Sequence, residues 1–143
     1  MIFYLTLFVI VIQFCLDFAY SNTLFDDVTV NSGISFTGNS EGVCIFDYNN
    51  DGWDDILFTT RNGSSNHLFR NEENMIFTDV SFESNIGVTM EARTAVAGDF
   101  DNDGDQDVFI GATVGESMLF ENTGGGTFQD ITNISGINIS DQV

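Results

Sequence analysis

The chain has 143 residues, the length of one ordinary domain, and sets 3 Lys+Arg against 22 Asp+Glu, for a net charge of −19. Such a polyanion repels phosphate backbones and anionic membranes, which excludes nucleic-acid binding. Simple disorder is excluded too: with 15 Phe and 43% hydrophobic residues the chain can bury a core, so the charge needs another explanation, and carboxylates acting as metal ligands are the leading one.

The first element in chain order is an apolar run over residues 1–16, ended by Asp17. A membrane span needs about 20 such residues. The shorter run at the N-terminus reads as the core of a signal peptide over 1–21, with Ala19 and Ser21 as the small residues before a cut at Asn22. An uncleaved signal anchor is the rival, and a buried first strand or helix ranks below both. The expected location is therefore secreted or extracellular, with no membrane span after cleavage. Cys44 is then the one remaining cysteine; set in Val43-Cys44-Ile45-Phe46, it reads as a buried free thiol. Three N-x-[ST] triplets, at Asn62, Asn133 and Asn138, would accept glycans in a eukaryotic secretory pathway.

The rest of the chain repeats itself. FDYNNDGWDDILFTT (46–60) aligns with GDFDNDGDQDVFIGA (98–112) at a shift of 52, and LFRNEENMIFTDVS (68–81) with LFENTGGGTFQDIT (119–132) at a shift of 51. A third copy of the tail, Phe25 to Thr29, precedes Phe77 to Ser81 by 52 residues. Phe25, Phe77 and Phe128 recur at this spacing and are expected to be core anchors. Each unit reads as β. Gly42–Phe46 and Thr94–Gly98 lead into Asp-rich loops; Ile56–Thr60 and Val108–Gly111 follow them. His67–Asn71 and Met118–Asn122 come next. Turns at Glu72–Asn74 and Thr123–Gly126 lead to returning strands over Met75–Val80 and Thr127–Ile131. That makes about four short strands in about fifty residues, the size of one propeller blade.

Between the first and second strands lie Asp47-x-Asn49-x-Asp51-Gly52-x-x-Asp55 and Asp99-x-Asp101-x-Asp103-Gly104-x-x-Asp107. Oxygens at positions 1, 3 and 5 converge on one point if the chain coils around it, and Gly at position 6 permits the sharp turn. Position 7 (Trp53, Asp105) would give its backbone carbonyl, and position 9 (Asp55, Asp107) a closing carboxylate. A hard cation with six to eight oxygens at about 2.3–2.6 Å fits, and calcium is the usual occupant. An EF-hand needs Glu at position 12, where this chain has Phe58 or Ile110 and a strand in place of a helix. The alternative is a pair of solvated turns, but a turn does not require Asp at both ends of the motif. Two calcium ions are expected.

These residues resemble the FG-GAP/VCBS repeat of integrin α-subunit propellers. The LFxNxxxxxFxDV[ST] piece is more similar to the VCBS branch, which includes proteins like cartilage acidic protein. The resemblance covers about residues 22–137. It implies a β-propeller with a calcium loop between two strands of a blade. By position it assigns ligand roles to Asp47, Asn49, Asp51, Trp53 (carbonyl) and Asp55, and to Asp99, Asp101, Asp103, Asp105 (carbonyl) and Asp107. The Gly-Ala-Pro element of the integrin repeat is reduced here to Gly111-Ala112.

The fold expectation is all-β: about two four-stranded antiparallel propeller blades with calcium-binding loops, part of a larger propeller. Propellers close with roughly four to eight blades, whereas residues 22–143 make only about two and a third units. Missing further blades and self-association through open edges are the two explanations. The functional expectation is a calcium-binding module for adhesion or matrix interaction with an extracellular protein or glycan. A calcium-dependent glycan-binding module, or the non-catalytic appendage of an extracellular enzyme, is the alternative. No catalytic site is expected: His67 is the one histidine, its counterpart is Met118, and it reads as a half-buried strand residue. Trp53 reads as a blade-packing aromatic more than as a stacking platform for sugars. The three arginines, Arg61, Arg70 and Arg93, are expected to form weak surface pairs.

Overall fold

The computed structural model describes residues 25–137; the signal-peptide segment and Asn138 lie outside them. After a short helix α1 (Thr29–Ser32) come β1 (Asn39–Phe46), β2 (Asp55–Arg61), β3 (His67–Asn71) and β4 (Phe77–Asp79). The same series follows as β5 (Glu91–Gly98), β6 (Asp107–Val114), β7 (Met118–Asn122) and β8 (Phe128–Asp130), closed by α2 (Thr132–Ser135). The strands form two four-stranded antiparallel sheets, β1-β2-β3-β4 and β5-β6-β7-β8, each in simple up-and-down order. No helix among the described residues is long and apolar enough to cross a membrane.

The core lies between the sheets. Cys44, Leu57 and Leu68 stand in register across β1, β2 and β3, and they point at the second sheet. Val108 and Phe120, paired across β6 and β7, and Ile110 point back. Leu57, Leu68, Val108 and Ile110 are fully buried, and each contributes about 1.5–3 kcal/mol. Alternation does the rest, because successive strand residues face opposite sides. At Gly42 the two first strands close tightly. A Cβ there would come within 2.6 Å of the Arg93 carbonyl oxygen, so only glycine fits.

The predicted tail motif has a structural reason. Asp79 Oδ1 accepts the Ser81 N–H at 3.0 Å and the Ser81 hydroxyl, whose oxygen accepts the Leu68 N–H at 2.9 Å. Asp130 and Thr132 repeat this clasp, with Leu119 as the donor strand residue. Asp27 likewise accepts the Thr29 N–H at 3.0 Å.

Some expectations need correction. Phe77 and Phe128 are buried anchors, but Phe25 is 85% exposed, because no strand among the described residues flanks its segment as β3 flanks β4. Trp53 does not pack into a sheet; it is 46% exposed. The return strand of the first unit begins at Phe77, not Met75: Glu73, Asn74 and Met75 take left-handed backbone angles, φ 67°, 53° and 63°. Gly124, Gly125 and Gly126 occupy those positions in the second unit. Cys44 is free and half-buried, and burial pushes its thiol up. His67 is half-buried on β3, as its spacing implies.

Candidate metal centres

Both loops fold around their own carboxylates, bond for bond. In loop one Asp47 accepts the Asp51 N–H at 3.1 Å on Oδ1 and the Gly52 N–H at 2.8 Å on Oδ2. In loop two Asp99 accepts the Asp103 and Gly104 N–H groups, both at 3.1 Å, through the same two oxygens. Position 3 helps: Asn49 Oδ1 and Asp101 Oδ1 accept the same amides of Asp51 and Asp103 at 3.2 and 3.1 Å. Position 5 in turn accepts from position 7: Trp53 N–H to Asp51 at 2.8 Å, and Asp105 N–H to Asp103 at 2.9 Å. Gly52 and Gly104 sit at φ 90° and 100°, where a side chain is strained. Asn50 and Asn102, at φ 58° and 67°, use the left-handed tolerance of asparagine.

Position 9 has a structural role as well. Asp55 is fully buried and accepts the Tyr48 N–H at 3.0 Å and the Asn71 N–H at 2.7 Å, one on each oxygen. Asp107 does the same with Phe100 at 2.9 Å and Asn122 at 2.8 Å. Each carboxylate thus ties its loop to the third strand of its sheet. A carboxylate has about four lone-pair sites, so these bonds leave capacity for a cation. Burial pushes the Asp55 carboxyl up to about 6, against the pull of its two amide donors. The Asp101 carboxyl is also raised, by desolvation and by the charges of Asp103, Asp107 and Asp99.

The donor chemistry fits a hard divalent cation best in loop two. Carboxylate oxygens of Asp99, Asp101 and Asp107 lie within 4.8 Å of one another, the one such group of His, Cys, Asp or Glu side chains among the described residues. Loop one has the amide of Asn49 in place of a third carboxylate, with its Nδ2 donating to Asp51 Oδ2 at 2.9 Å. The side chain of Asp105, predicted to offer only its carbonyl, accepts Asn50 Nδ2 at 2.6 Å and so links the two loops.

Asn71 and Asn122 had no role assigned from sequence, though both recur in the LFxN motif. Asn122 Nδ2 donates to Tyr48 O at 2.8 Å, across the gap between the sheets. Gly126 packs against the Tyr48 ring, where a Cβ would lie 2.3 Å from a ring carbon. The recurrence was visible, but the contact across the gap was not.

Residues 47–110, from the first residue of loop one to the middle of β6, match the family model of the FG-GAP-like repeat. No curated protein matches the chain. Two up-and-down four-stranded sheets, each with its Asp-rich loop between first and second strands, agree with that match, and residues 47–110 are similar to an FG-GAP-like repeat.

Proposed function

We propose that the chain is a calcium-binding repeat module that mediates adhesion or matrix interaction outside the cell, and that it is not an enzyme. The observation that carries the calcium reading is the duplicated loop, above all the convergence of Asp99, Asp101 and Asp107. Asp99, Asp101, Asp103 and Asp107, with the Asp105 carbonyl, would hold one ion; Asp47, Asn49, Asp51 and Asp55, with the Trp53 carbonyl, would hold the other. Calcium would neutralise carboxylates that otherwise repel one another. The adhesion reading leans on the FG-GAP-like repeat and on the N-terminal apolar run.

Against catalysis stands the use of the one His–Asp–Ser grouping. His67 Nδ1 meets Asp79 Oδ2 at 3.0 Å, but the Ser81 hydroxyl is spent on the turn clasp that Thr132 repeats without a histidine. The test is titration calorimetry with calcium, together with melting in calcium and in chelator. Two bound ions and a raised Tm are expected. No heat of binding and an unchanged Tm would overturn the reading. The exposure of Trp53 at the loop rim favours a second reading, a sugar stacked beside the ion. A glycan array run with and without chelator separates the two.

A further inference from the structure

The two outer faces of the sheet pair are images of the two faces already joined. On the joined side of the first sheet, Cys44, Leu57 and Leu68 are covered by the second sheet. One repeat later Val96, Phe109 and Leu119 stand in the same register across β5, β6 and β7. With Phe100 and Ile137, the counterparts of buried Tyr48 and Ile86, they line an open apolar cavity of about 520 Å³. Val96 and Phe100 are 53% and 54% exposed.

The opposite end shows the complement. The covered face of the second sheet carries Ala95 and Ala97 on its first strand. Their counterparts on the first sheet, Val43 and Ile45, are exposed, Ile45 to 62%. Phe36, which stacks on His67 and packs tilted against Phe58, stands at the repeat position of Val88, a residue packed into the joined core.

We infer that a second copy of this chain seats its β1–β3 face on the open β5–β7 face, head to tail, by the packing that joins the two sheets within one copy. The size pattern at the loop supports a copy of this chain as the occupant. Within the chain, the Tyr48 ring meets Gly126, which has no room for a side chain. At the open end Gly98 replaces Phe46, and the Phe100 ring lies 3.2 Å from where a Gly98 Cβ would be. Met75, at the repeat position of Gly126, is exposed. The same arrangement sets Asn71 toward the Phe100 carbonyl, as Asn122 is set on that of Tyr48. Pairing two like faces reproduces neither relation. The contact is heterologous, so it generates rings or open chains of copies and leaves free ends only where it stops. It does not depend on whether the loops hold calcium.

Sedimentation equilibrium of the protein at about 0.15 M salt, where the Debye length is about 8 Å and the −19 of each copy is screened, reads the association. Masses at multiples of the chain are expected. Val96→Arg and Ile45→Arg each put a charge on one exposed face position and are expected to weaken association more than about tenfold, with unchanged circular dichroism. Mixed together, the two variants retain one intact junction and form a one-to-one dimer. A monomeric wild type overturns the inference. So does an Ile45→Arg variant that associates as the wild type does, or a mixture that stays monomeric.

Discussion

The side-chain amide of Asn122 donates to the backbone carbonyl of Tyr48 at 2.8 Å, from the third strand of one sheet to the loop of the other. The Tyr48 N–H donates to Asp55, and the Asn122 N–H to Asp107. Two residues, Tyr48 and Asn122, thus connect the closing carboxylates of both loops. Asn122→Ala leaves a buried carbonyl without this partner and is expected to cost about 1–3 kcal/mol in urea denaturation. Asn71→Ala, whose amide stays within its own sheet on Asp54 O, is expected to cost less.

The glycine turn of the second unit separates two causes of strain. Gly125, at φ 68°, faces open space, so Gly125→Ala costs only the left-handed penalty, about 1–2 kcal/mol. Gly126, at φ 80°, would add a collision with the Tyr48 ring, so Gly126→Ala is expected to cost a further 1–3 kcal/mol, roughly. The first unit offers the converse. Met75 already bears the left-handed penalty at φ 63°, and Met75→Gly is expected to raise the Tm.

Asp55 sets a pH dependence in the metal-free protein. Its folded value of about 6 exceeds the unfolded value of 3.8, so the folded chain holds this proton more tightly. Stability from this group is present below the unfolded value and is lost as pH rises through the folded one. Urea midpoints in chelator are therefore expected to fall from about pH 4 to about pH 7 through this group, and the fall is expected to flatten in Asp55→Asn.

The loops differ by one charge at position 3, Asn49 against Asp101. Calcium affinity follows the charge of the ligand set. Calorimetry is expected to resolve a tighter site in loop two. Asp101→Asn should weaken that site by about tenfold, and Asn49→Asp should strengthen the other. Equal effects of both changes on both sites would contradict the residue assignment.

Recurrence made much of this legible from the sequence. The loops with Gly52 and Gly104 and the eight strands repeat at 51 or 52 residues, and period-2 alternation marks which residues share a face. What recurrence does not carry is which copy finds a neighbour. Phe25 has the motif of Phe77 but no flanking strand, so it is exposed. Met75 replaces a glycine because the first sheet has no Tyr48 ring opposite it within the chain. Trp53 stands at a position where side-chain direction depends on loop geometry alone. Asn122 was visible as a repeated letter, and its bond to Tyr48, 74 residues away, was not.

Because the core lies between sheets, neither sheet has one of its own, and that orders events at the ribosome. Leu57 and Leu68 emerge about fifty residues before Val108 and Phe120, which cover them. At a synthesis rate of about 5–20 residues per second, the face stays bare for several seconds. Its β1–β3 hairpins are local and quick to form, but their greasy side has nothing to close on until the next unit arrives. The first sheet of this chain is therefore a client for whatever shields nascent apolar surface, and the second is the partner that releases it.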